Sequence, residues 1–169
     1  GTANILEISK SIKTLKGTLC ITTDKVYKNN ENQNRFVETD ILGGEDPYSA
    51  SKSAAEIVIE SFAKSYFSYN QNYQVINVAR AGNVIGGGDW SDDRLIPDCI
   101  KSWSKKKSVV IRNPKSTRPW QHVLDPLAGY IVLAEKLYQS KNQLNKDSNN
   151  LLTSAFNFGP NTSSNKSVR

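Results

Sequence analysis

The sequence is poor in the residues that build metal centres and disulfide frameworks. Its 169 residues include 2 cysteines and 1 histidine, which are too few for a zinc cluster of cysteine and histidine ligands. The two cysteines, Cys20 and Cys99, stand far apart and do not form a disulfide framework. Cys20 lies in an apolar run, where a free thiol is usually a small buried side chain. We therefore expect no metal site.

The sequence also lacks a long apolar segment and an opening methionine. No run approaches the roughly 18 consecutive apolar residues that cross a membrane, and no secretory signal peptide opens the chain. The first residue is Gly1, and the count of methionine is 0. We therefore expect a cytoplasmic protein without a membrane partner, and a chain that is part of a longer protein.

Negative charge is in deficit. The 22 Lys and Arg exceed the 16 Asp and Glu and give a net charge of +6, which favours anionic ligands. On charge alone, both nucleic acid and a sugar diphosphate are candidates. No RNA- or DNA-binding motif accompanies the charge, so we do not expect nucleic acid as a partner. The run Lys105-Lys106-Lys107 is expected at a helix C-terminus, where cations complement the helix dipole.

Apolar periodicity predicts helices that alternate with short strands. The predicted helices are about 5–17, 48–67, 95–105 and 126–138. Three of them carry an apolar stripe, formed by Ile5, Ile8, Ile12 and Leu15 in the first, by Ala55, Ile59, Phe62 and Tyr66 in the second, and by Leu127, Ile131, Ala134 and Tyr138 in the last. The predicted strands are 18–23, 74–79, 109–111 and 155–158. This alternation indicates an α/β protein with a parallel sheet.

A glycine turn typical of dinucleotide-binding folds is missing from this pattern. Such a turn, Gly-x-Gly-x-x-Gly, follows the first strand of the fold. The run Gly86-Gly87-Gly88 lacks that spacing, and no Gly-Lys-Ser/Thr follows it to make a P-loop. Either the protein does not bind a dinucleotide, or the first half of the fold lies outside this chain.

Two short segments carry residues suited to proton transfer. Tyr48 and Lys52 stand at i and i+4 of a predicted helix, so they share a face. A cation beside a phenol lowers the phenol pKa from about 10 and lets it act as a base. Thr23, Asp24 and Lys25 follow a predicted strand, where ligand sites of open parallel sheets lie. Each segment also has a plain interpretation, an exposed helix pair and an ordinary strand-end turn.

Together these segments resemble the extended short-chain dehydrogenase/reductases, and within them the sugar 4,6-dehydratases. The resemblance continues in order through 79–90, 94–98, 112–114, 117–123 and 156–160. It implies a Rossmann-like, doubly wound sheet with part of a small substrate-binding domain. Residues 1–169 would form a single partial domain, without its N-terminal dinucleotide-binding half and with substrate-binding elements within about 89–123. Lys25 replaces the Glu of the dTDP-glucose group, and 86–90 and 118–122 look like the CDP-sugar group.

The resemblance implies an NAD-dependent lyase of nucleotide-sugar metabolism, with CDP-glucose as substrate and a homodimer or homotetramer as the complete assembly. By this resemblance Tyr48 takes the proton of the sugar 4-hydroxyl, Lys52 holds the nicotinamide ribose, and Thr23 hydrogen-bonds the 4-oxygen. Asp24 protonates the departing 6-hydroxyl. Lys25 acts where C5 loses its proton, either as the base or as an electrostatic stabiliser. The expected cofactor-binding residues are Tyr48, Lys52 and Val84, with Val84 beside the nicotinamide. The expected substrate contacts are Asn83, Arg94, Leu95, Arg112 and Arg118.

Two other functions remain open from the sequence. One is a related dTDP- or GDP-sugar dehydratase or a 4-epimerase. The other is a non-catalytic nucleotide-sugar-binding module, which the complete set of Thr23, Asp24, Tyr48 and Lys52 argues against. His122 stands alone in an aromatic segment, and we expect it to have a structural role.

Overall fold

The structure, a computed structural model, describes residues 1–28, 35–67, 74–141, 154–161 and 164–168. The chain forms two compact units. The first, here called the sheet unit, comprises Gly1–Ala81 and Ala128–Phe158; the second, the ribbon unit, comprises Gly82–Leu127 and Gly159–Arg169. The sequence also predicts polar loops at 29–34 and 139–154. Residues 29–34 and 142–153 lie outside the described residues.

Helices and strands alternate along the described chain. The helices are α1 (Thr2–Ser9), α2 (Pro47–Phe62), α3 (Leu95–Ser104) and α4 (Leu124–Lys141). The strands are β1 (Gly17–Thr23), β2 (Val75–Ala81), β3 (Val84–Ile85), β4 (Thr117–Pro119), β5 (Gln121–His122), β6 (Ala155–Phe158) and β7 (Asn165–Ser167). A 3-10 turn at Asp24–Val26 follows β1, and a π-helical turn at Ala63–Phe67 extends α2.

The sheet unit is built on a parallel sheet in the order β1-β2-β6. Alternate residues of β2 point to opposite faces, because successive side chains of a strand alternate. Ile76 and Val78 pack with residues of α1 and α2, whereas Val75 packs with Leu137 of α4. Each such buried side chain contributes roughly 1.5–3 kcal/mol. Helices therefore cover both faces, and the predicted doubly wound α/β sheet is confirmed.

Two predicted apolar stripes are wrong. Helix α1 ends at Ser9 instead of near Gly17, and it buries Leu6 while Ile5 and Ile8 are 60% and 58% exposed. In α4 the residues turned inward are Pro126, Tyr130, Leu133 and Leu137, and Ile131 of the predicted stripe is exposed. Both helices carry apolar residues on two adjacent stripes, so periodicity alone does not decide which stripe meets the sheet.

The stripe predicted for α2 is correct only in part. Ile59 is buried, but Tyr66 is exposed, and the buried face includes Ser49, Ser53 and Glu56. The polar residues on this face are buried because they hydrogen-bond to the strand ends and to the 3-10 turn.

The ribbon unit consists of two pairs of short strands and α3. Strand β3 pairs in parallel with β5, and β4 pairs antiparallel with β7. The prediction of α3 is confirmed, but the strand predicted at 109–111 is wrong, since Val110 is 89% exposed and belongs to no strand. A run of three apolar residues has too little backbone to hold a strand without a partner. No helix among the described residues is long and apolar enough to cross a membrane.

Candidate active site

The end of β1 is fixed by a threonine hydroxyl. Thr23 is buried, and its Oγ1 accepts a hydrogen bond from the Lys25 N–H at 3.4 Å, which caps the Asp24–Val26 turn. The same hydroxyl donates to Asp24 Oδ1 at 3.1 Å. Asp24 is half-buried and Lys25 is exposed. The turn thus presents a hydroxyl, a carboxylate and an ammonium group at the carboxyl end of the sheet, as the sequence predicts.

The start of α2 is held by Asp46, which sequence reasoning missed as part of the site. Its Oδ1 accepts from the N–H groups of Tyr48 at 3.0 Å and Ser49 at 3.1 Å, and its Oδ2 accepts from Ser49 Oγ at 2.5 Å. The hydrogen bonds from Ser49 lower the pKa of the Asp46 carboxyl below its usual value, with a smaller effect from Lys25. Pro47 at the first helical position completes this N-terminus.

Two ammonium groups flank the ring of Tyr48. Lys25 Nζ lies 5.8 Å from the ring centroid and Lys52 Nζ lies 5.9 Å from it, both within the range of a cation–π contact. Tyr48 itself is 52% exposed, so a ligand has access to the phenol. The structure therefore brings Lys25 to Tyr48 as well as Lys52, although the sequence spacing indicated only the second pair.

A buried ion pair lies beneath these residues. Arg80 and Glu56 are 5% and 3% exposed, and the Arg80 Nε lies 3.0 Å from each Glu56 carboxylate oxygen. Glu56 Oε1 also accepts from the Thr22 hydroxyl at 2.5 Å. Burial opposes the charge of Arg80, but the hydrogen bonds to Glu56 and Tyr27 raise the Arg80 pKa above its usual value.

Tyr27 extends this pair across the sheet. Its hydroxyl accepts from Arg80 Nη1 at 2.6 Å and donates to Asn157 Oδ1 at 2.7 Å. Burial raises the pKa of the Tyr27 phenol, and the hydrogen bond from Arg80 partly offsets this. Thr22, Arg80 and Asn157 occupy one row of the sheet. A polar residue at the same level of three apolar strands is the sequence signal that could have revealed the network.

The remaining predicted site residues lie in the ribbon unit. Arg112 forms an ion pair with Asp93, which raises the pKa of its guanidinium, and Arg94 Nε lies 3.8 Å from Asp89 Oδ2. Arg118 is exposed and donates to the Thr117 carbonyl. Val84 is exposed at the first residue of β3, and Asn83 before it and Leu95 at the start of α3 are half-buried.

His122 makes a local backbone contact. Its Nδ1 accepts a hydrogen bond from the Leu124 N–H at 3.2 Å, at the first residue of α4. This contact agrees with a structural role. Among the described residues, no group of three or more His, Cys, Asp and Glu side chains could hold a metal ion.

Comparison with known proteins agrees with this geometry. The profile of the NAD dependent epimerase/dehydratase family matches residues 1–145. The chain belongs to this family. It is 44% identical over 171 residues to the CDP-glucose 4,6-dehydratase of Salmonella typhimurium, covering 99% of the present chain but 45% of that relative. The chain thus spans about half the length of this curated relative.

Solved structures show the same fold. A dTDP-glucose 4,6-dehydratase from Bacillus anthracis in complex with NAD superposes with a TM-score of 0.77 at 24% identity, over 98% of this chain and 46% of that one. A UDP-glucuronic acid 4-epimerase from Bacillus cereus gives 0.76 at 22% identity, over 99% and 46%. Since family members with different reactions share the fold, the fold does not choose between dehydratase and epimerase.

Proposed function

We propose that this chain is the part of an NAD-dependent CDP-glucose 4,6-dehydratase that carries the catalytic residues and substrate contacts. The observation that carries the proposal is the arrangement of Lys25 and Lys52 around an accessible Tyr48, with Thr23 and Asp24 adjoining Lys25. The identity of 44% with the Salmonella CDP-glucose 4,6-dehydratase supports the choice of reaction and nucleotide. The product would be CDP-4-keto-6-deoxyglucose, with loss of water.

The residues at the start of α2 fit a nicotinamide cofactor. Lys52 offers an ammonium donor for ribose hydroxyls, and its neighbour Tyr48 is half exposed. When bound, NAD would accept the hydride that leaves C4 of the sugar, and that hydride would later return to C6 while C5 regains a proton. We infer that the glycine turn for its phosphates is supplied outside these 169 residues.

The first proton transfer falls to Tyr48. Its phenol oxygen removes the proton of the sugar 4-hydroxyl, while Thr23 hydrogen-bonds the same oxygen. The ammonium group of Lys52 beside the ring stabilises the negative charge that develops on the phenol oxygen during this transfer.

Asp24 and Lys25, both in the Asp24–Val26 turn, carry out the elimination of water. The 4-ketone acidifies the C5 proton, and Asp24 gives a proton to the departing 6-hydroxyl. Lys25 either takes the C5 proton in its neutral form or, as a cation, stabilises the enolate while a water molecule takes that proton. Both roles place Lys25 in the elimination and leave Tyr48 to the oxidation of C4.

The ribbon unit supplies the substrate contacts in this proposal. Arg94, Arg112 and Arg118 face the nucleotide diphosphate, because guanidinium groups match phosphate oxygens in bidentate geometry. Asn83 and Leu95 contact the substrate, and Val84 lies beside the nicotinamide. We propose that the complete enzyme is cytoplasmic and forms a homodimer or homotetramer.

The test is turnover by the full-length protein that contains this chain. Purified enzyme with NAD should convert CDP-glucose to a 4-keto product, and it should prefer CDP-glucose over dTDP-glucose by roughly 100-fold in kcat/KM, since a site that hydrogen-bonds one base leaves polar groups unpaired with another. Equal rates with both nucleotides would contradict the nucleotide assignment. A 4-epimer without loss of water would instead identify the protein as an epimerase.

A further inference from the structure

The buried pair of Glu56 and Arg80 is not explained by stability alone. Both side chains are almost fully withdrawn from water, and the loss of hydration largely cancels the attraction between two buried charges. Replacing a buried ion pair by well-packed apolar side chains of similar size is often neutral or stabilising. The role of the ion pair is therefore better judged from the strands and the helix that it joins.

The ion pair connects the elements that carry the proposed catalytic residues. Glu56 lies on α2, four residues after Lys52 and eight after Tyr48, and it accepts from Thr22, the neighbour of Thr23. Arg80 lies on β2, directly opposite Thr22 in the sheet.

Tyr27 continues the connection to the turn. It directly follows Asp24–Val26 and accepts from Arg80 at 2.6 Å. The Ser53 hydroxyl of α2 donates a hydrogen bond to the Val26 carbonyl at 2.8 Å, which joins the helix directly to the turn. The strand end, the turn and the helix thus share one hydrogen-bonded frame.

We propose that Glu56, Arg80 and Tyr27 form a positioning network that holds the Asp24–Val26 turn against α2, so that Lys25 stays beside Tyr48. None of the three is assigned a contact with substrate; they act through the residues they hold. The effect on rate rests on the proposed function, whereas the effect on the position of Tyr48 does not.

The geometry of Arg80 makes the network testable. Its guanidinium bonds at once to both Glu56 oxygens, to the Tyr27 hydroxyl and to the Glu38 carbonyl at 3.1 Å. A lysine ammonium keeps the charge but lacks the planar fork that reaches several acceptors together. Arg80→Lys therefore loosens the network while its charge balance is kept, and Tyr27→Phe removes a single hydroxyl from it.

The experiment uses the full-length protein with 3-fluorotyrosine at position 48. The ¹⁹F line should be single and narrow in the otherwise unaltered protein, and broadened or split in Tyr27→Phe and Arg80→Lys. In the unlabelled variants, kcat for CDP-glucose should fall about tenfold or more with KM nearly unchanged, because misplacement of reacting groups lowers the rate of the chemical step.

Two controls separate positioning from stability. Glu60→Gln breaks an exposed ion pair with Lys64 on the same helix, and Ile59→Val weakens the core beside the network. Both should keep the narrow ¹⁹F line and the kcat of the unaltered protein. If Ile59→Val lowers kcat as much as Arg80→Lys does, the effect is one of stability and the positioning role is overturned.

The two readouts also distinguish the two proposals. An unchanged ¹⁹F line in both network variants overturns the positioning role, whatever the activity. If the unaltered enzyme fails to reduce NAD with CDP-glucose while the ¹⁹F line changes in both network variants, the proposed function fails and the positioning role stands.

Discussion

The two units hold their predicted site residues in different ways. In the sheet unit, Tyr48, Lys52 and the Asp24–Val26 turn stand on elements joined by a buried polar network. In the ribbon unit, Arg94 and Arg112 are exposed and lie close to single aspartates on the surface. Proton transfer needs reacting groups held in fixed positions. A flexible diphosphate, in contrast, can be bound by exposed cations. The two units should therefore affect different kinetic constants.

The largest expected effect is that of Tyr48→Phe in the full-length protein. Removal of the phenol oxygen should slow the reduction of bound NAD by CDP-glucose by about 10²–10⁴-fold, the range for loss of a general base. Substrate binding should stay nearly intact because the ring is kept. Stopped-flow absorbance measures the first effect and calorimetric titration the second. NAD reduction at the unaltered rate would remove Tyr48 from the mechanism.

Lys25→Met, also in the sheet unit, is expected to separate the reduction of NAD from the elimination of water. The variant should still reduce bound NAD, since Lys52 remains beside Tyr48, but reduced cofactor should accumulate. Exchange of the C5 proton with solvent deuterium should slow by about 100-fold, a typical loss for a proton-transfer or enolate-stabilising group. Mass spectrometry of the sugar measures the exchange. Exchange and turnover at the unaltered rate would mean that Lys25 has no catalytic role.

Much of the fold and part of the site follow from local patterns. The strand ends and the i, i+4 spacing of Tyr48 and Lys52 are local, so the sequence alone predicts them. The approach of Lys25 to Tyr48 and the pair of Glu56 and Arg80 depend on how strands and helix meet. The predicted apolar stripe of α1 was wrong for the same reason. Leu6 is buried because it packs against residues of α2 and β2, and the spacing of apolar residues along α1 does not reveal that contact.

Arg112→Met tests the ribbon unit by the opposite kinetic signature. Loss of a charged hydrogen-bond donor, about 1.5–3 kcal/mol, should raise KM by roughly 10–100-fold with a small change in kcat. Lys107→Met, in the nearby lysine run, is the matched control and should leave both constants unchanged. A fall in kcat alone would place Arg112 among the catalytic residues and remove the difference between the units.

Asp93→Asn tests the same Arg112 contact and is expected to change KM in the opposite direction. Asp93 pairs with Arg112 and has a φ of 60°, a left-handed conformation that Asn also tolerates. Since the carboxylate competes with a diphosphate for the guanidinium, the variant should lower KM for CDP-glucose. A higher KM would mean that Asp93 orients Arg112 for the substrate and does not compete with it.

The smallest expected effect compares two glycines, one in each unit. A Cβ on Gly44 would lie 2.3 Å from Ser49 and 2.4 Å from the backbone nitrogen of Ala50, whereas a Cβ on Gly87 would meet no atom within 4 Å. The atoms that Gly44 would meet belong to the first turn of α2, which the Asp46 cap holds in place, so they cannot move aside as the end of a flexible side chain does.

Gly44→Ala should lower the free energy of unfolding of the full-length protein by about 1–3 kcal/mol, as overpacking does. Gly87→Ala should leave the stability unchanged or raise it by up to about 1 kcal/mol, because alanine reduces the freedom of the unfolded chain. Chemical denaturation measures both. Equal stability of the two variants would show that the loop before α2 yields as easily as the surface of the ribbon unit, and the rigid support inferred for Tyr48 would then have to come from the buried network alone.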